Sequence, residues 1–280
     1  MVIILGILLI FAALFLGYLF CIGGRTGHPG LKKLSGWNYA HRGLHDDQLP
    51  ENSMGAFRAA LDAGCGIELD IHLMKDGNLA VIHDASLLRT AGADVRIEDL
   101  TIDQLKEYRL GNTMEQIPLF QDVLTLFDGK APLIVELKCV DGNYAQLCEA
   151  TCKLLDGYSG VYCLESFDPR VVRWLRSNRP DLIRGQLSEN WMGKPLPVPA
   201  ILKWAMTYHI ANVYTRPDFI AYKYADRKVF GTDICRKWMG VQGVTWTLRS
   251  REEYDQACSE GWIPIFENFR LTDSEEDIAN

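Results

Sequence analysis

The chain has 280 residues, 48% of them hydrophobic, and its 36 acidic against 29 basic side chains give a formal charge of −7. With no basic stripe to offset that balance, nucleic acid is excluded as a partner. Setting aside an apolar start and a short linker leaves roughly 245 residues, the size of one α/β barrel.

Residues 1 to 22 carry no charged side chain. As a helix they reach ~33 Å, enough for the ~30 Å hydrocarbon core of a bilayer. A transmembrane anchor is therefore expected over residues 1–24. A cleaved signal peptide would show a basic start and small residues before the cut, and neither is present. Phe20 is too large for the residue preceding a lipid-modified Cys21. No basic residue precedes the span, whereas Arg25, Lys32 and Lys33 follow it, so the rest of the chain is expected on the cytoplasmic side of the cell membrane.

A linker over 25–36 leads into alternating apolar runs and helical stretches over 37–272. Strands are expected at Trp37–His41, Gly66–Ile71, Leu79–His83, Pro132–Lys138, Val161–Ser166, Leu182–Leu187, Asn212–Thr215, Gly243–Leu248 and Trp262–Glu267. Amphipathic helices are expected at Ser53–Ala63, Tyr144–Leu155, Pro169–Arg176 and Arg251–Ser259. This rhythm favours a closed (β/α)8 TIM-type barrel, with a doubly wound open sheet as the alternative. Residues 84–131 break it with two short helical stretches, near Thr101–Tyr108 and Leu119–Phe127, and read as an insertion over the barrel mouth. The acidic residues from Asp273 to Asp277 fall in a tail, 273–280, expected to fray. The seven cysteines beyond Cys21 lack the tight spacing of a disulfide framework or a zinc site and read as reduced structural thiols.

Strand side chains alternate between two faces. Ile67, Leu69 and Ile71 share one face while Glu68, Asp70 and His72 share the other; Leu133, Val135 and Leu137 oppose Glu136 and Lys138 in the same way. Burying an unpaired carboxylate costs several kcal/mol, so inward charges must be paired or bind metal. Glu68, Asp70 and Glu136 form an all-oxygen set suited to Mg²⁺ or Ca²⁺, or else they are ion-paired to Lys138 and Arg42. His41 and His83 end strands on the same side, which would allow one acid and one base around a reacting centre. Arg42 and Lys138 would make a phosphate clamp. Gly43 would permit a close backbone approach after the first strand. His28, His45, His72 and His209 read as ordinary hydrogen-bonded histidines.

These elements stand in a telling order: His41–Gly43 as HRG, Pro50–Ser53 as PENS with Ala56 and Phe57, Glu68 and Asp70 as E-x-D, Lys75–Gly77 as KDG, His83–Asp84, and Glu136–Lys138 as E-x-K. Over residues 37 to 138 the sequence resembles the glycerophosphodiester phosphodiesterase family. The resemblance implies a TIM-type barrel that hydrolyses glycerophosphodiesters to sn-glycerol 3-phosphate and an alcohol with a divalent ion. It implies Glu68, Asp70 and Glu136 as metal ligands, His41 and His83 as the acid and base, and Arg42 and Lys138 as phosphate contacts. Phe167 and Trp246 correspond to positions where an aromatic packs against glycerol. The last strand departs from the family's usual TD-x-P, with Phe266–Glu267–Asn268 in its place.

Two other functions stay open at this level. One is lysophospholipase D-type cleavage of membrane lysophospholipids, which an anchor would suit. The other is a membrane-bound barrel that has lost catalysis.

Overall fold

A computed structural model describes residues 1–271, so the acidic tail lies outside the described residues. Nine strands form: β1 (Tyr39–His41), β2 (Gly66–Leu73), β3 (Leu79–Val81), β4 (Leu133–Leu137), β5 (Tyr162–Ser166), β6 (Arg184–Ser188), β7 (Phe219–Lys223), β8 (Gln242–Leu248) and β9 (Ile263–Phe266). All except β3 pair in parallel, in the order β1-β2-β4-β5-β6-β7-β8-β9, and β9 closes back onto β1 through Tyr39 and Ile265. The closed eight-stranded parallel barrel excludes the open sheet.

The outward faces of β2 and β4 explain why these runs become barrel strands. Ile67, Leu69, Ile71, Leu133, Val135 and Leu137 are fully buried against Phe57, Phe120, Leu147 and Val171 of the surrounding helices. Each such side chain contributes roughly 1.5–3 kcal/mol through burial. The helices begin where capping chemistry allows: Ser53 accepts from the Ala56 amide, Asp168 precedes Pro169 at the first helical position, and Ser250 accepts from the Glu253 amide. Inside, below the site, Tyr39, Ile134, Cys163, Phe219, Val244 and Ile265 fill the barrel. Gly185 is required there, since a Cβ on it would stand 2.1 Å from the Phe219 ring.

Three expectations need correction. Residues Leu79–His83 supply β3, which is antiparallel to β2 (Ile71 opposite Val81) and stands outside the barrel. The turn between the two strands is far shorter than the dozen or so residues a parallel crossover needs. Asn212–Thr215 is a helical turn rather than a strand. Arg216 ends it in a left-handed conformation (φ 42°), Pro217 follows, and the barrel strand starts only at Phe219. That strand, β7, was missed.

Within the 84–131 interval, the short helices Leu88–Ala91 and Ile102–Leu105 and the 3-10 turn Ile97–Asp99 gather Met74, Ile82, Leu87, Ile97 and Leu105 into a small core of their own. The helix Phe120–Phe127 packs instead into the main core.

The helix Val2–Ile22 is long and apolar enough to cross a membrane, and its apolar window is not buried anywhere in the fold. Only its last turn docks. Ile22 is fully buried against Ile220, Cys235 and Val241, the Asn212 amide donates to the Ile22 carbonyl at 2.8 Å, and Arg216 donates to the Phe20 and Gly23 carbonyls at 2.8 Å each. Arg25 then pairs with Asp218 at the start of β7, at 2.5 Å. All eight cysteines are free thiols.

Candidate active site

Register brings three acidic residues, Asp70, Glu136 and Glu165, to one level, with Glu68 two residues earlier on β2. Across neighbouring parallel strands Asp70 is paired with Glu136, and Glu136 with Glu165, while His41 at the end of β1 is paired with Glu68. All four carboxylates are buried, at the C-terminal end of the barrel interior. One ligand atom from each of Glu68, Asp70 and Glu136 lies within 4.8 Å of the others.

This crowding has an electrostatic cost. Burial, then the neighbouring Asp70 charge, raise the Glu68 carboxyl well above its ordinary range. Burial likewise raises Glu136 to about 7, against the pull of Lys138. Burial would also raise Asp70, but Lys138 and Arg42 outweigh it and hold this carboxyl far below the ordinary range. Lys138 Nζ bridges the pair at 2.9 Å from Asp70 and 2.8 Å from Glu136, and Arg42 Nε lies 3.3 Å from Asp70. Asn52 donates to the Asp70 Oδ2 at 2.9 Å. Asp70 Oδ1, though near Lys138, is out of line for a hydrogen bond and has no donor. A carboxylate oxygen with an ion-pair partner but no aligned hydrogen-bond donor among the described residues, beside two carboxyls that resist ionisation, all hard donors, fits a divalent cation of the Mg²⁺ or Ca²⁺ kind.

The backbone around Arg42 is held in unusual geometry. Arg42 (φ 55°) and Asn52 (φ 56°) are both left-handed, and the Asn52 amide donates to the Arg42 carbonyl at 2.9 Å. Gly43 completes the turn: a Cβ there would lie 2.8 Å from the backbone of Ala56. The close approach expected at this glycine is thus to the following helix, which carries the PENS loop against the first strand.

The two histidines have parallel surroundings. His41 Nδ1 is hydrogen-bonded to the Glu267 carboxylate, leaving Nε2 facing inward, 3.8 Å from Glu68. His83 Nδ1 is hydrogen-bonded to Asp84 at 2.7 Å, and Arg89 in turn holds Asp84 at 2.5 Å and Glu51 at 2.7 Å. A carboxylate can only accept, so each ring carries its proton on Nδ1 and leaves Nε2 as an acceptor. Burial lowers the pKa of both histidines, with Glu267 and Asp70 pulling the other way at His41 and His83 respectively.

His41, Arg42, Glu68, His83, Glu136, Phe167 and Trp246 all line one cavity of about 350 Å³. Phe167 and Trp246 meet edge to face there at 5.6 Å. Lys138 opens instead into an adjoining groove of about 880 Å³, which shares His83, Glu136 and Phe167 with the cavity and continues over Val140, Trp191, Val198, Leu202 and Tyr214. His72, buried, bonds Glu98 at 2.7 Å and the His83 carbonyl at 3.1 Å, so it braces His83 from behind.

Several residues escaped the sequence reading. Glu267 orients His41 and lies 3.7 Å from His45, which thereby joins the site's edge. Glu165 is a fourth inward carboxylate, its pKa raised by burial and then by Glu136. Its signal was present, as the single charge inside the apolar run of β5. Glu189, Lys194 and Lys223 reach the cavity from loops and strand ends, with Lys194 and Lys223 at 2.5 and 3.2 Å from Glu189.

The profile of the glycerophosphoryl diester phosphodiesterase family matches residues 41–270. A glycerophosphodiester phosphodiesterase of Caldanaerobacter subterraneus is 28% identical over 251 residues, covering 86% of this chain and 95% of that protein. A Bacillus altitudinis glycerophosphodiester phosphodiesterase is 37% identical over a shorter stretch of 113 residues, 38% of this chain and 46% of that one. Among solved structures, an Oleispira antarctica phosphodiesterase in complex with the product sn-glycerol-3-phosphate has the same fold, with a TM-score of 0.73 at 18% identity over 91% of this chain and all of the other.

Proposed function

Because the chain belongs to the glycerophosphoryl diester phosphodiesterase family and is a phosphoric diester hydrolase, we propose that it cleaves glycerophosphodiesters to sn-glycerol 3-phosphate and an alcohol by metal-assisted acid–base catalysis with two histidines. The observation that carries this reading is that two Nδ1-tethered imidazoles line one cavity with Glu68 and Glu136, whose carboxylates cluster with that of Asp70 within 4.8 Å. The product bound by the Oleispira antarctica enzyme supports the same product here.

In this reading Glu68, Asp70 and Glu136 hold the ion. When bound, it neutralises phosphate oxygens and stabilises charge that develops in the displacement. Arg42 and Lys138 supply the phosphate with further positive charge. Lys138 is held by Asp70 and Glu136, and Arg42 by Asp70 and by Glu51 at 3.0 Å. His41 Nε2 and His83 Nε2 move protons to and from the attacking and leaving oxygens. Phe167 and Trp246 wall the cavity where glycerol carbons would rest.

The test replaces each histidine by Gln. Removing a positioned acid or base costs ~10²–10⁴ in rate. On natural diesters both variants should lose that much in kcat. On a p-nitrophenyl diester, whose leaving group needs little help from a proton, only the acid variant should recover. Two folded variants with near wild-type rates on natural diesters would refute the mechanism.

A second reading, lysophospholipase D-type cleavage, is favoured by the apolar groove beside the cavity, which has the chemistry to take an acyl chain. It also draws on the helix Val2–Ile22, which we propose is a retained membrane anchor. Loss of this helix would strip Ile22 from its pocket and leave the Asn212 and Arg216 donors without the carbonyls they now bind. Arg25, with exposed Lys32 and Lys33, supports a cytoplasmic barrel.

A further inference from the structure

The last turn of the helix Val2–Ile22 is pinned to the barrel wall at two heights. At the lower, Ile22 packs against Ile220, the second residue of β7, and against Val241, just before β8. At the upper, Tyr18 stacks on Phe230 at 5.5 Å and donates to its carbonyl. Two residues on, Thr232 bonds His209, whose ring lies 4.9 Å from Tyr222. Tyr222 stands two residues beyond Ile220, or ~6.6 Å further along the strand. Four helical residues span ~6 Å. The helix therefore runs beside β7 in the opposite direction, and its N-terminus points where the strand C-termini point, toward the catalytic mouth.

Residues 2–17 continue that way for ~24 Å, with no part of the apolar window buried. On the same side, the segment after β6 exposes Met192 (46%), Ile201 (70%) and Trp204 (42%), and the segment after β7 exposes Phe230 (63%). Trp204 pairs with Tyr208 at 6.1 Å, next to His209, so the apolar band is continuous with the root of the helix. The inner side of the 191–202 segment, at Trp191, Val198 and Leu202, lines the groove beside the active site.

We propose that the catalytic mouth faces the lipid bilayer, with Met192, Ile201, Trp204 and Phe230 seated in its interface beside the anchor, so that substrate reaches the site from the membrane surface. This rests on retention of the helix, argued above. Because its last turn belongs to the fold, no free tether holds the barrel away from the lipid. The ~17 residues left to cross are the short end of a spanning helix, which draws the rim down to the headgroups.

Trp238 provides an internal control. It is 75% exposed and lies four residues before β8, hence at the opposite end of the barrel. The full chain is reconstituted in phosphatidylcholine vesicles with and without acyl-brominated phosphatidylcholine, and bromine-dependent quenching of tryptophan fluorescence is read for wild type, Trp204→Phe and Trp238→Phe. The expected result is that Trp204→Phe loses most of the quenching while Trp238→Phe keeps it. Loss in Trp238→Phe, in both variants or in neither would overturn the orientation. Flotation with the same vesicles is measured first: a chain that does not float overturns the anchor, and the proposal with it. Hydrolysis of soluble glycerophosphocholine by that same sample reports separately on the enzymatic reading.

Discussion

Glu267→Gln keeps the side chain's size, removes its charge, and tests how His41 is set. The two oxygens of Glu267 have different partners: Oε2 faces His41 Nδ1 and His45 Nε2, while Oε1 lies 2.7 Å from Arg249 Nη2. Burial favours protonation of this carboxyl, but the hydrogen bond from His41, the nearby His45 ring and the Arg249 charge hold it well below the ordinary range. An amide in the same place has one acceptor and one donor end. Arginine can only donate, so the amide oxygen will turn toward Arg249 and the NH₂ toward His41. His41 must then accept at Nδ1 and carry its proton on Nε2, the opposite tautomer to the one that serves a base. The expected loss is the full contribution of that group, ~10²–10⁴ in kcat, or about 3–5 kcal/mol in barrier. Steady-state hydrolysis of glycerophosphocholine by the detergent-solubilised full chain measures it, with thermal unfolding as a check on the fold. Adding Arg249→Met frees the amide oxygen for His41 and should return part of the rate. An active Glu267→Gln enzyme, or a double variant slower than the single one, would show that Glu267 does not set the imidazole.

Excess EDTA should abolish hydrolysis and Mg²⁺ or Ca²⁺ should restore it, because Glu68, Asp70 and Glu136 otherwise repel one another; full turnover in chelator would exclude the metal. His209, buried between Tyr222 and Thr232, has its pKa lowered by burial to about 4. The unfolded histidine titrates near ~6.5 and takes its proton first, so stability present above that pH falls as pH drops toward the folded value, by up to ~3 kcal/mol. His209→Gln should flatten this part of the acid dependence of urea unfolding, and an unchanged slope would rule the residue out. Ile22→Ala should cost roughly 2–5 kcal/mol of barrel stability if the helix end belongs to the core, measured as a lower thermal midpoint; an unchanged midpoint would make the docked turn dispensable.

What could be read from the sequence follows the range of the forces involved. The helices Tyr144–Leu155 and Arg251–Ser259 came out with the expected bounds, because periodicity and capping act within a few residues. The inward faces of β2 and β4 were legible for the same reason: parity alone separates Glu68 and Asp70 from Ile67 and Leu69. Asn212–Thr215 misled because a short run with β-branched residues suits a strand, whereas the segment closes as a helical turn, with the Arg216 amide on the Asn212 carbonyl and the Asn212 side chain docked on the distant Ile22 carbonyl. Glu165 shows in the sequence as the single charge of its strand, but its place beside Glu136 needs the β4–β5 register, which a single strand does not contain.

Glu267 is the more instructive miss. Its segment stood out for lacking the family's usual letters, yet barrel closure places it beside β1, the strand farthest from it in sequence, and hence beside His41. His83, by contrast, finds its carboxylate in the very next residue, Asp84. The two imidazoles thus share one kind of partner by two routes, one local and one made only when the last strand meets the first. A barrel that failed to close at β9 would keep the tether on His83 and lose the one on His41. In the proposed mechanism, the acid–base pair is complete only in the fully closed fold.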